Sequence, residues 1–293
     1  MVDPVLVANQ ILTGLSIGSR LFLVAVGLTL IFGVLDVLNF THGVLYMIGA
    51  YVAIQVVTGL VGNFWVALVV AALVVGLIGV VLESVFIRRV YDREPLDQLL
   101  LTFAFVLILT DLVRITFGSL GTAIQEPDVF NFTVQFTGNV GISGYRLFVI
   151  ALSILTMAAL FFTLQRTNIG RMVRATSSDR DMARLLGIDV PKLYTGVFFV
   201  GAVLAGLAGG ISAPLQAVTT EAGNQVIIQA FVITVIGGLG SFVGAFIGAY
   251  LIGILIAVGS LWITGGGQLF PFVAMILVLV LKPQGLFGEA VEA

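Results

Sequence analysis

The sequence predicts an all-α, polytopic integral membrane protein of about eight to nine transmembrane helices, with broken or re-entrant segments near 36–43 and 237–244. Three observations carry that prediction. Of 293 residues, 59% are hydrophobic and only 10% charged, against about 25% charged in soluble domains, and mean hydropathy is +1.18. The 13 basic and 15 acidic side chains are too few to cover a globular surface of this size, whereas lipid asks for no such cover. Apolar runs able to cross a hydrocarbon core of roughly 30 Å recur along the whole chain. The basic residues gather in the gaps between runs, as cytoplasmic loops do.

The composition also excludes function classes. A net charge of -2 gives no basic footprint for nucleic acid. With no cysteine and one histidine, disulfide frameworks, iron–sulfur clusters and His/Cys metal sites are absent by inventory, so no metal site and no catalytic residue is assigned. The two lysines, Lys192 and Lys282, are followed by Leu193 and Pro283, so no phosphate-binding G-x-x-x-x-G-K-[ST] loop exists and the chain is expected to hydrolyse no ATP and bind no cofactor itself. No Lys or Arg precedes Arg20, so a cleavable secretory leader is not expected.

Nine apolar runs define the elements in order: 6–35, 43–60, 64–87, 96–117, 146–164, 194–214, 224–238, 242–262 and 267–281. The second, seventh and eighth are the candidates for half-helices or re-entrant segments. Arg88, Arg89 and Arg93 lie in one gap, Arg166, Arg171, Arg174, Arg180, Arg184 and Lys192 in another, and Lys282 beyond the last run, which predicts that all three regions are cytoplasmic. The gap 118–145 lacks Lys and Arg and carries Glu126 and Asp128, so it is an external loop. Counting back through nine spans puts the N-terminus outside; eight would put it inside.

Two interruptions fall within apolar sequence. At 36–43, Asn39, Phe40, Thr41, His42 and Gly43 follow Asp36, and at 237–244 the run Gly237, Gly238, Gly240, Ser241 leads into Gly244 and Gly248. Lipid cannot satisfy free backbone groups, so such breaks are covered by protein or line a water-filled path. These nine residues are therefore candidates for the translocation path or its gate. The plainer alternatives are a short turn at the first break, a satisfied helix-end role for His42, and small-residue helix packing at the second. MIGAYV at 47–52 resembles FIGAYL at 246–251, and each follows a break, as a weak internal repeat would. Glu83 has Arg88 and Arg89 nearby and Asp111 has Arg114 one turn on, so local pairing is expected for both. Arg20 has no partner in sequence.

The polar segment 165–193 is patterned. Ser178 is expected to cap a short helix starting at Asp179, with Asp181 completing a capping box and Gly187 ending it before Pro191. Met182, Leu185 and Leu186 form an apolar face that must meet the membrane surface or another protein.

Several patches carry a family likeness. GLTLIFGV at 27–34, LNFTHG at 38–43 and YMIGAY at 46–51 resemble the permeases of branched-chain amino acid ABC importers, as do GRMVRA at 170–175, ARLLGI at 183–188, GGLGS at 237–241 and PQGLFG at 283–288. The likeness runs through nearly the whole chain in order, and length points to the smaller of the two permease types. It implies a single permease domain over 1–293 in a prokaryotic plasma (inner) membrane. It also implies a second homologous permease, two cytoplasmic ATPases that use ATP and Mg, and an extracytoplasmic solute-binding protein. By the same likeness Arg171, Arg174, Asp179, Met182, Ala183, Leu185, Leu186, Gly187 and Ile188 belong to the element that couples to the ATPases. A urea or amide permease of the same family, and an ATP-independent secondary transporter or channel, are the alternatives.

Overall fold

A computed structural model describes residues 3–118, 121–263 and 266–288. All nine apolar runs are helical. In chain order the helices are α1 (Pro4–Leu35), α2 (Thr41–Gln55, prolonged by a π-helical turn Val56–Leu60), α3 (Phe64–Val85), α4 (Pro95–Phe117), α5 (Gly144–Arg166), α6 (Asn168–Ser178), α7 (Arg180–Leu185), α8 (Val190–Ser212), α9 (Ala222–Gly237), α10 (Phe242–Gly259) and α11 (Leu269–Leu281). Among the described residues, seven spans are long and apolar enough to cross a membrane. The two shorter helices, α9 and α11, are 16 and 13 residues, about 24 and 20 Å long at ~1.5 Å per residue.

Local chemistry sets the boundaries. The Asp3 carboxylate accepts from the Val5 N–H at 2.9 Å ahead of Pro4, an N-cap followed by a proline suited to the first turn. Asn63 caps α3 the same way. The sixth run begins at Val190, earlier than hydropathy indicates, because Asp189 accepts from the Lys192 N–H and Pro191 occupies the first turn. Hydrogen bonds from Lys192 hold the Asp189 carboxyl below its usual range.

Two departures from the sequence reading are clear. The loop expected to be external, 118–145, contains an antiparallel hairpin, β1 (Thr133–Thr137) with β2 (Val140–Ser143), paired Thr133 to Ser143 and Val134 to Ile142. Residues 119–120 of that loop lie outside the described residues. The short helix α7 is capped by Asp179, not Ser178, which is the last residue of α6. The turn falls at Asp179, whose extended backbone (φ -154, ψ 105) lets its carboxylate accept from the Asp181 and Met182 N–H groups at 3.0 and 2.9 Å. Asp181 pairs with Arg184 instead of closing a capping box.

Hydrophobic driving force between helices is absent in lipid, so the bundle holds by close packing. At the α2–α8 crossing a Cβ on Gly209 would collide with the Tyr46 carbonyl. At the α1–α10 crossing one on Gly253 would collide with the Gly18 backbone. α4 and α5 are peripheral, with most of their surface turned outward.

The two ends of the bundle differ. At one end Asn9 of α1 clamps the hairpin, its amide donating to the Asn139 carbonyl at 3.0 Å and its oxygen accepting from the Gly141 N–H at 3.1 Å. The N-terminal end of α1 therefore lies at the same end of the bundle as this hairpin, as an even number of intervening spans requires. At the other end Gly33 sits against Gly240, and the Leu286 and Phe287 N–H groups donate to the Ile236 and Gly237 carbonyls at 2.8 and 3.0 Å.

Candidate functional site

The first break is the connection from α1 to α2. Asp36 adopts the left-handed conformation (φ 55, ψ 36), and its N–H donates to the Phe32 carbonyl, ending α1. Beyond it the chain is tied to α4: the Thr41 hydroxyl donates to the Thr102 carbonyl at 3.0 Å, and the Thr102 hydroxyl donates to the Leu38 carbonyl at 3.3 Å. Thr102 lies seven residues into α4, so α2 starts about 10 Å along that helix from its N-terminal end.

The five candidate residues there have different surroundings. Phe40 is in ring contact with Phe231 of α9, centroids 4.8 Å apart. His42 is fully buried against Gly27, and its Nε2 donates to the Val24 carbonyl at 3.1 Å. A carbonyl only accepts, so Nε2 carries the hydrogen and His42 pins the first turn of α2 to α1. Gly43 lies against Gly223, where a Cβ would overlap the Gly223 carbonyl and the Ile227 side chain. Asn39 is fully buried, and neither its oxygen nor its nitrogen has a partner among the described residues.

Of these, Phe40 alone lines a groove of about 560 Å³ between α4 and α9. Val106, Leu107 and Phe103 of α4 face Ile227 and Ile228 of α9 along it. It runs from Phe40 to Arg114, about 16 Å along α4. Asp111, Arg114, Glu221 and Asn224 form its end nearer the 118–145 loop. Arg114 pairs with Asp111 at 3.0 Å, the expected local pair, and also with Glu221 across the groove at 3.8 Å. The Asn224 amide donates to Glu221 at 3.2 Å. Sequence reasoning did not bring these four together, because Arg114 and Glu221 lie on helices distant in the chain.

The second break gathers elsewhere. Gly237 packs on Gly244, Gly238 (φ 99) on the Gly288 backbone and Gly240 on Gly33, while the Ser241 hydroxyl accepts from the Gly244 N–H and caps α10. Gly240 and Ser241 line a smaller groove of about 220 Å³ with Phe161, Leu164 and Phe242. Two motifs distant in sequence, GGLGS and PQGLFG, thus meet in one joint at the end of the bundle opposite the hairpin.

The coupling residues form an arm of α6 and α7. Arg171 donates to Asn168 within the first turn of α6, and Arg174 donates to the Leu164 carbonyl, holding α6 to the end of α5. In α7, Ala183 is buried while Met182, Leu185 and Leu186 are 51, 82 and 74% exposed. Gly187 (φ 85) and the Ile188 N–H, donating to the Ala183 carbonyl at 3.1 Å, close the helix. Arg180 reaches Asp92 in the α3–α4 connection at 3.1 Å.

Beside the arm, Glu83 is fully buried and accepts from Arg88 Nε and Nη2 at 3.1 and 3.0 Å, from the Tyr91 hydroxyl at 2.9 Å and from the Thr195 hydroxyl at 2.8 Å. Burial, then the Glu83 carboxylate, push the Tyr91 pKa up. The expected Glu83–Arg88 pair exists, and it joins α3 to α8 where α8 leaves the arm. Arg20 is partly buried, and its Nε has no partner among the described residues.

A bundle of helices long and apolar enough to cross a membrane, broken near one end and grooved toward the other, defines a polytopic membrane protein. A family model described as branched-chain amino acid transport system / permease component matches residues 10–281, and the chain belongs to that family. The high-affinity branched-chain amino acid transport system permease protein LivH of Escherichia coli (strain K12) is 32% identical, covering 96% of this chain and 95% of its own. BraD of Pseudomonas aeruginosa, a permease protein of a system described in the same words, is 31% identical over the same shares. LivM of E. coli K12 is 25% identical, covering 90% of this chain and 67% of its own. The match to LivH in length agrees with the smaller permease type. Seven apolar spans and this family make the chain a multi-pass protein of the prokaryotic plasma membrane.

Proposed function

We propose that this chain is the permease subunit of an ATP-driven importer for branched-chain or other hydrophobic amino acids. A second, homologous permease completes the translocation path, two cytoplasmic ATPases supply the work, and an external solute-binding protein delivers the solute. The observation that carries this reading is the arm. Three large apolar side chains stand exposed on α7, which is anchored through Ala183, Arg180 and the α8 start to the membrane bundle. A short helix with its apolar face out requires a protein groove or a membrane surface to cover it. A groove on an ATPase is the occupant that gives ATP-driven closure a mechanical route to α8 and α3.

The permease neither hydrolyses ATP nor binds Mg in this reading; both belong to the partner ATPases. A secondary transporter would need an intramembrane acid free to exchange a proton or ion. Glu83, the one fully buried acid among the described residues, is saturated by Arg88, Tyr91 and Thr195. The test is mild-detergent purification of tagged protein from its native membrane. A second permease and two ATPases in the purified assembly are expected; a homo-oligomer without ATPase would overturn the reading.

A further inference from the structure

The external end of the α4–α9 groove has a charge arrangement that structural support alone does not require. Arg114 stands between two carboxylates, Asp111 at 3.0 Å on its own helix and Glu221 at 3.8 Å at the N-cap of the facing helix α9. All three side chains are about half exposed, so the pair across the groove holds the helices together weakly, by at most ~1 kcal/mol. Directly below, the walls become apolar at Leu107, Ile227 and Ile228. The volume of about 560 Å³ falls within the roughly 300–1,000 Å³ of small-molecule sites. A guanidinium flanked by carboxylates, above an apolar shaft, is complementary to a zwitterion carrying an apolar side chain.

We infer that this groove is the outer chamber of the translocation path and holds the solute by its charged ends. Arg114 takes the carboxylate of the amino acid, and Glu221, released from its loose contact with Arg114, takes the ammonium. The side chain lies against Leu107, Ile227 and Ile228, and the Phe40–Phe231 contact forms the inner end. Exchange of one weak ion pair for two solute pairs lets the chamber fill and empty without large cost. A neutral urea or amide lacks both charges and would leave the Arg114–Glu221 pair in place. This inference rests on the importer reading above.

The test uses the complete importer with its binding protein in proteoliposomes, carrying Ile228→Cys in a chain that otherwise has no cysteine. An impermeant thiol reagent is added from outside with or without L-leucine. Leucine is expected to slow labelling at least fivefold, whereas isovalerate and isoamylamine, each lacking one charge, should not. Arg114→Gln and Glu221→Gln should abolish the protection and lower leucine uptake about tenfold, and Glu221→Asp should retain most of both. Labelling that leucine leaves unchanged, in an assembly that still imports leucine, overturns the chamber. Protection by leucine that survives Arg114→Gln and Glu221→Gln overturns the assigned contacts. An assembly that hydrolyses ATP yet imports no hydrophobic amino acid overturns the importer reading itself, a result separate from either.

Discussion

Two ion clusters at opposite ends of the bundle contrast carboxylates of similar chemistry. Glu83, at the cytoplasmic end, is fully buried and takes four hydrogen bonds from Arg88, Tyr91 and Thr195. Glu221, at the external end, is more than half exposed, with Arg114 at 3.8 Å and one amide donor. A buried, saturated carboxylate is a fixed joint, because loss of any partner leaves an uncompensated charge. A half-exposed one is exchangeable, because water replaces each contact it gives up. The permease thus has rigidity where the arm enters the membrane and loose contacts where the groove meets the outside.

The largest effect is expected at the rigid end. Glu83→Ala strands Arg88, Tyr91 and Thr195 together, and because Arg88 is partly exposed and can rehydrate, the loss should be about 2–3 kcal/mol. Thermal unfolding of the purified assembly, followed by size-exclusion chromatography, measures it; an unchanged midpoint would remove the joint.

Next comes the arm, where packing within the chain is not at stake. Leu186 is 74% exposed, so Leu186→Asp should leave membrane insertion and thermal stability unchanged. Uptake should nevertheless fall at least tenfold, a coupling loss of about 1.4 kcal/mol or more. Normal ATP-driven uptake by this variant in vesicles would take the coupling role away from α7.

A smaller effect is expected at Asn39, whose buried amide lacks partners in this arrangement of the break. Replacing it with an apolar side chain of similar size, Asn39→Leu, should raise stability by about 1 kcal/mol. If the amide finds partners in another state of the transport cycle, the same change slows uptake. A stability gain with unaltered uptake would make Asn39 a passive remnant in the path.

The smallest stability effect belongs to the loose end. Arg114→Gln should shift stability by no more than about 0.5 kcal/mol, since surface pairs contribute little. A loss comparable to that of Glu83→Ala would erase the contrast between the two clusters.

Much of the fold is legible in the sequence because lipid imposes a simple rule. Runs of apolar residues must be helical, so 64–87 became α3 and 96–117 became α4 almost residue for residue. The break after Leu35 is legible because Asp36, Asn39 and His42 interrupt such a run. What sequence could not supply is pairing between distant segments. Arg114 has an acid one turn away and no sequence mark of Glu221, and nothing in PQGLFG indicates that its backbone joins Gly237. At Ser178 the error was one residue, since Ser and Asp both cap helices and only backbone geometry selects Asp179. At His42 the break's most polar aromatic proved to be an anchor to Val24, while Phe40, chemically the least distinctive of the five, reached the groove.

The central claim is that this permease moves a hydrophobic amino acid inward using ATP hydrolysed by partner subunits. It is tested most directly in proteoliposomes containing the purified assembly, with the binding protein outside, by following radiolabelled L-leucine. Uptake that requires ATP inside the vesicles and is lost with Leu186→Asp is predicted. Uptake that proceeds without ATP, or that is driven by an imposed ion gradient, would contradict it.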